Sequence, residues 1–125
     1  MGLLEGLTKN TAELTEAADD SRLRPWWSDA PPGSVAASIR QWVEQHPRWN
    51  FVARQDSAGG VDIDLTHRTR LFRFVDDIHL RLTARPDGTR VDAESRSRVG
   101  VGDLGQNRRN LRELSASVPG AAGGS

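Results

Sequence analysis

The stretch V-D-I-D-L-T-H-R-T, Val61–Thr69, alternates cleanly between apolar and polar residues. A period of two predicts a β-strand, with Val61 and Leu65 facing a core and Asp62 and Asp64 facing solvent. The prediction of the fold starts from this strand, because segments with a similar pattern lie on both sides of it in the sequence.

Three flanking segments are also predicted as strands: Arg48–Gln55, Leu71–Ala84 and Arg90–Val99. Residues 57–60, S-A-G-G, and 86–88, P-D-G, are typical of the turns between them. The positions predicted to face the core are Trp49, Phe51, Ala53, Phe72, Phe74, Ile78, Leu80, Leu82, Val91, Ala93, Ser95, Ser97 and Val99. Asp76 also falls among the apolar positions, so either a bulge turns it outward or it is buried with a partner.

Two helices are predicted on either side of the strands. Ser34 can cap the first, in which Val35, Ile39 and Val43 share one face and which ends before Pro47. The second runs over Asp103–Val118, with Asp103 as its cap and with Leu104, Leu111, Leu114 and Val118 as its buried stripe. The sequence therefore predicts an α+β fold, a two-layer, four-stranded antiparallel meander with helices packed on one face.

The chain divides into an N-terminal arm over residues 1–33, a single domain over 34–118 and a flexible tail over 119–125. Residues 1–24 have only a thin helical stripe, and whether they are ordered stays open. The prolines of the tryptophan-rich loop, residues 25–33, predict neither helix nor strand. Trp26 and Trp27 either close one end of the core or form an exposed stacking surface.

Composition excludes several classes of protein. The 17 basic and 17 acidic residues cancel, so no net field favours nucleic acid. The absence of cysteine excludes disulfides and thiol chemistry, and the three histidines lack metal-ligand spacing, so we expect neither a metal nor a cofactor. With no long apolar run and no signal-peptide pattern, we expect no transmembrane segment and a soluble, cytoplasmic protein.

Gly100, Gly102 and Gly105 spell G-x-G-x-x-G between a strand and a helix. A dinucleotide site also needs a second parallel strand, and none follows here, so a structural turn is the better interpretation. Asp103 would then cap the helix, and Asn107 would tie the turn back by side-chain hydrogen bonds.

The functional interpretation of this turn is an anion site formed by arginines and the start of the helix, with Arg70 joining from outside the turn. The candidate ligand-binding residues are Asp76, Arg96, Arg98, Asp103, Asn107 and Arg108.

Asp76, Asp77 and His79 form a second candidate site. Neighbouring carboxylates can separate each other's pKa values and support acid–base chemistry, which makes Asp77, His79 and Arg98 candidate catalytic residues. The alternative is a structural ion pair between Asp76 or Asp77 and Arg98.

Three blocks of the sequence resemble domain-of-unknown-function family 1499: R-F-V-D-D-I (Arg73–Ile78), S-R-S-R-V-G (Ser95–Gly100) and D-L-G-Q-N-R-R (Asp103–Arg109). The resemblance covers about residues 34–118 and implies a small α+β domain without an assigned reaction. It departs at Glu94 and Arg96, where the family usually has arginine and alanine, and in lacking the cysteines common before the first helix. The positions that match the family motif are Asp76, Asp77, Ser95, Ser97, Arg98, Gly100, Asp103, Gly105, Asn107 and Arg108.

No catalytic signature stands out, so we expect a non-catalytic module that binds a small anionic or amphipathic ligand or a partner protein. One alternative is a small acid–base enzyme that uses Asp77, His79 and Arg98. The other is a homo-oligomeric assembly module, and the sequence leaves the oligomeric state open.

Overall fold

Four long strands form the centre of the sheet in the computed structural model, which describes residues 11–18, 20–70, 74–98 and 104–120. They are β3 (Trp49–Ser57), β4 (Gly60–Arg68), β5 (Val75–Arg85) and β6 (Gly88–Ser97). Each pairs antiparallel with the next, and the register places Ile63 beside Leu80 and Leu80 beside Ala93. The meander predicted from the alternating segments is therefore present.

Two further strands extend the sheet beyond this meander. They are β1 (Thr11–Glu13) and β2 (Trp26–Ser28), which pair with different parts of the same edge of β6. The sheet thus has six strands in the order β1-β6-β5-β4-β3, with β2 also on β6. The α+β class and the antiparallel sheet are confirmed, whereas the expected number of four strands is wrong.

The first helix, α1, begins earlier than predicted. It spans Pro32–Glu44 with Pro31 at the N-cap, so Ser34 is not the cap. Proline suits the first helical position because the N–H it lacks would have no partner there. Residues 26–28 and 32–33 are thus regular structure, although the prolines around them predicted none.

The second helix, α2, spans Leu104–Leu114 and continues as a 3-10 turn over Ser115–Ser117. Leu111, Leu114 and Val118 are buried, as the predicted stripe requires. The proposed cap, Asp103, lies outside the described residues.

One face of the sheet forms the core together with both helices. Ile39 of α1 and Leu111 of α2 belong to the same buried cluster as Ile63, Leu80 and Val91 of the sheet. Trp26 is 1% exposed and belongs to this core, as the first interpretation of the tryptophan pair expects. Its neighbour Trp27 is 46% exposed and lies beside the guanidinium groups of Arg85 and Arg90.

Two positions predicted to face the core do not. Phe74 precedes β5 and is 43% exposed. The register shifts between Phe51 and Ala53, which turns Ala53 away from the helices. Phe72 and Val99 lie outside the described residues. No helix in the described part of the chain is long and apolar enough to cross a membrane.

Candidate functional site: a buried polar network beside an arginine cleft

The sheet face that meets α2 carries a hydrogen-bonded network of buried polar side chains. Asp76 is 1% exposed, and its Oδ2 accepts a hydrogen bond of 2.7 Å from Nδ2 of Asn110, which is fully buried. Burial with a partner, one of the two alternatives for this aspartate, is therefore what the structure shows. Because Asn110 is a residue of α2, the hydrogen bond ties the helix to the beginning of β5.

Asn107, one turn earlier on α2, makes the corresponding contacts with β6. Its Oδ1 accepts a hydrogen bond of 2.7 Å from the Ser95 hydroxyl, and its Nδ2 donates one of 2.9 Å to Oγ of Ser97. All three residues are buried. Asn107 therefore fixes the helix on the strand that precedes it. The turn that it was expected to tie back lies largely outside the described residues.

His67 lies at the margin of this network. It pairs with Asp76 in the register of β4 and β5, and it is 4% exposed. Its Nδ1 is 3.7 Å from Oδ2 of Asp76, which is too long for a good hydrogen bond. Among the described residues, this nitrogen is the one buried side-chain polar atom without a hydrogen-bond partner. Such an atom asks for an explanation, because buried polar groups are nearly always paired.

A cleft of about 500 Å³ adjoins His67. Segments 47–50 and 66–70 line it together with Val75, so it lies where the chain enters β3 and leaves β4. Three arginines, Arg48, Arg68 and Arg70, lie along it and are exposed. None of them has a carboxylate partner among the residues that the structure describes.

Arginines outside the cleft more often have a carboxylate partner. Most of the described arginines outside the cleft lie within 4 Å of a carboxylate: Arg22, Arg40, Arg54, Arg81, Arg90, Arg96, Arg98 and Arg112. The cleft instead concentrates three positive charges that the described part of the chain does not neutralise. Such a concentration favours an oxyanion, which a guanidinium can bind through two parallel hydrogen bonds.

The arginines singled out from the sequence do not gather around one point. Arg98 forms two hydrogen bonds of 2.9 Å with Asp77, the expected structural ion pair, and these bonds raise the pKa of its guanidinium. Arg96 donates to Oγ1 of Thr11. Arg108 is exposed on α2, and Gly100, Gly102 and Asp103 lie outside the described residues.

His79 lies on the outer face of the sheet and is not joined to Asp77. Its Nδ1 is 2.9 Å from Asp64 and its Nε2 is 3.1 Å from Asp62, both on β4. Asp77, His79 and Arg98 therefore belong to two separate ion-pair groups. Their contacts are those of a ladder of charges across neighbouring strands.

His67, Asn110, Arg48 and Arg68 were not predicted as site residues. The sequence held one signal for His67, because continuing the alternation of Val61–Leu65 by two positions places it on the core face. The hairpin register then sets it beside Asp76. No local sequence pattern distinguishes Arg48 and Arg68 from the other arginines. What they share is the lack of a carboxylate partner, which depends on the tertiary structure.

The chain matches over residues 6–118 the family described as "Protein of unknown function (DUF1499)". Neither a curated protein nor a solved structure matches it significantly. The matched region includes the sheet, both helices and the cleft, and it confirms the resemblance carried by the three sequence blocks. The chain belongs to the DUF1499 family.

Proposed function

We propose that this protein is a non-catalytic module that binds a small oxyanion, such as a phosphate or carboxylate group, in the arginine cleft. The observation that carries the proposal is the set of three arginines, Arg48, Arg68 and Arg70, without a described carboxylate partner. The opening is large enough for a small molecule.

The proposed site differs from the one expected at the glycine-rich turn, although Arg70 belongs to both. The Asp77–Arg98 ion pair leaves little support for a catalytic group made of Asp77, His79 and Arg98. Arg98 already binds a carboxylate of the protein, and His79 is held between Asp62 and Asp64. The cleft is therefore the better place to seek a ligand.

Isothermal titration with sulfate, phosphate and malonate at low salt tests the proposal. We expect saturable binding that weakens as chloride is added, because the attraction is electrostatic. Arg48→Gln and Arg68→Gln should each weaken binding about tenfold or more, the usual effect of losing one charge-assisted hydrogen bond.

Arg108→Gln is the matched control. It removes the same charge from an exposed position on α2, outside the residues that line the cleft. Binding by this variant should equal that of the wild type. No saturable binding of any of the three anions, or an equal loss in the control, would show that the cleft is not an anion site.

A further inference from the structure

His67 lies between the cleft and the buried network. Packing alone does not explain why a histidine stands at this position. His67 is among the residues that line the cleft, yet only 4% of it is exposed. Its Nδ1 points towards Asp76 at 3.7 Å without forming a hydrogen bond. A protonated imidazole beside a carboxylate would form a charge-assisted bond of about 2.7–2.9 Å. The observed spacing is that of a pair in which this bond is not made.

The charged groups around His67 come from every element packed against it. Asp76 of β5 lies opposite Nδ1, and the three arginines of the cleft lie at the ends of β3 and β4. Trp49 packs on the imidazole with ring centres 4.7 Å apart, and its Nε1 donates to Glu113 of α2 at 3.3 Å.

His46, at the end of α1, is separated from His67 by two tryptophan rings. It stacks on Trp42, whose ring meets Trp49 at 5.4 Å. It therefore acts on His67 only at a distance. Asp76 lies directly beside the imidazole, and the three arginines line the same cleft as His67.

The arginines of the cleft and the Asp76 carboxylate carry opposite charges, so their influences on a charge at His67 oppose each other. An oxyanion bound by the arginines would neutralise their charge and so remove the opposing influence. The imidazole could then take up a proton and complete the hydrogen bond to Asp76, whose Oδ2 is fixed by Asn110.

We propose that His67 takes up a proton when an oxyanion enters the cleft, so that ligand binding is coupled to pH. This inference rests on the proposed anion site and specifies how that site is regulated. Because protonation accompanies binding, affinity should increase as pH falls. Affinity should fall by up to about tenfold for each pH unit over the range in which His67 takes up a proton on binding, and should level off at higher pH, where the imidazole is neutral with or without the anion.

Sulfate is the suitable probe, because neither it nor arginine titrates near neutrality. Calorimetric titration at about pH 7.5 in two buffers of different ionisation enthalpy measures the protons taken up on binding. We expect a value between about 0.5 and 1 proton for each sulfate in the wild type. His67→Gln should reduce it to zero while sulfate still binds to the arginines.

His79→Gln is the matched control, because it removes a histidine from the outer face of the sheet. It should leave the proton uptake unchanged. Saturable sulfate binding without proton uptake in the wild type would overturn the inference and leave the anion site standing. Absence of sulfate binding would overturn both.

Nuclear magnetic resonance of the imidazole nitrogens in the wild type gives a second test that does not depend on a variant folding. The chain has three histidines, so the signals of His46 and His79 can be assigned with the His46→Gln and His79→Gln variants. Sulfate at constant pH should move the His67 signals, and no others, from the neutral towards the charged form. Signals of His67 that stay unchanged at saturating sulfate would refute the proposal.

Discussion

The contact between Asp76 and Asn110 should contribute strongly to stability, because both side chains are inaccessible to water. Asn110→Ala removes the 2.7 Å hydrogen bond to the Asp76 carboxylate and a 3.1 Å hydrogen bond to the Ser95 hydroxyl. It also removes the acceptor of a 2.9 Å hydrogen bond from Gln106. The carboxylate would then be buried without its amide donor.

The magnitude follows from these losses. A hydrogen bond to a charged group is worth about 1.5–3 kcal/mol, and a neutral one about 1 kcal/mol. We therefore expect Asn110→Ala to lower the free energy of unfolding by about 3.5–5 kcal/mol. Since a domain of this size has about 5–15 kcal/mol in total, the variant should still fold.

A double-mutant cycle isolates the contact. Asp76→Ala, Asn110→Ala and the double variant are unfolded in urea at neutral pH, with the fluorescence of the buried Trp26 and Trp49 as the signal. The double variant should be more stable than the sum of the single effects predicts, by about 2 kcal/mol. A coupling energy below about 0.5 kcal/mol would refute the reasoning. The same cycle on Asp77 and Arg98, an exposed pair, should give a much smaller coupling energy.

Further predictions concern single residues elsewhere in the fold. Trp26→Ala should cost about 3–5 kcal/mol because the side chain fills the core, whereas Trp27→Ala should change stability little, as urea denaturation of both can show. Gly88→Ala should cost about 2 kcal/mol or more, because the glycine has a φ of +149° and an added Cβ would overlap a carbonyl of β2. Gly59→Ala, whose Cβ would have no atom nearer than 3.6 Å, is the control, and equal melting temperatures for the two variants would contradict the argument.

Acid stability forms the last of these predictions. Hydrogen bonds from Arg22, and a further one from Arg112, lower the pKa of the Asp20 carboxyl far below its ordinary value. The stabilisation is complete above the ordinary carboxyl range and is lost as pH falls below about 4. Asp20→Asn should thus be less stable at neutral pH but lose less stability between about pH 4 and pH 2, and parallel pH profiles of the two proteins would contradict this.

The alternation of apolar residues was sufficient to predict the meander, because a half-buried strand has the same period wherever it lies. Val61, Ile63 and Leu65 are buried as the pattern requires. The edge strands could not be found in this way. Thr11–Glu13 and Trp26–Ser28 are three residues long, and their conformation depends on pairing with β6 rather than on their own composition.

The site was harder to predict than the fold for a related reason. Asp76 could be recognised as an exception because it is a charged residue among strand positions that otherwise carry apolar side chains. Its partner lies on a helix, 34 residues further along the chain. No such signal marks the arginine cleft. That an arginine lacks a carboxylate partner can be recognised only when the positions of all the other charged side chains are known. Sequence therefore located one half of the site and left the other half to the tertiary structure.

Because β1 and β2 occupy separate parts of one edge of β6, that strand has backbone partners on both sides. A fragment starting at residue 34 would lack both of these strands. The outer N–H and C=O groups of β6 would then have no partner along most of the strand, and the space that Trp26 fills would be left empty. An uncovered edge of this kind recruits strands from other molecules. Any recombinant fragment intended to keep this edge covered should begin upstream of Thr11.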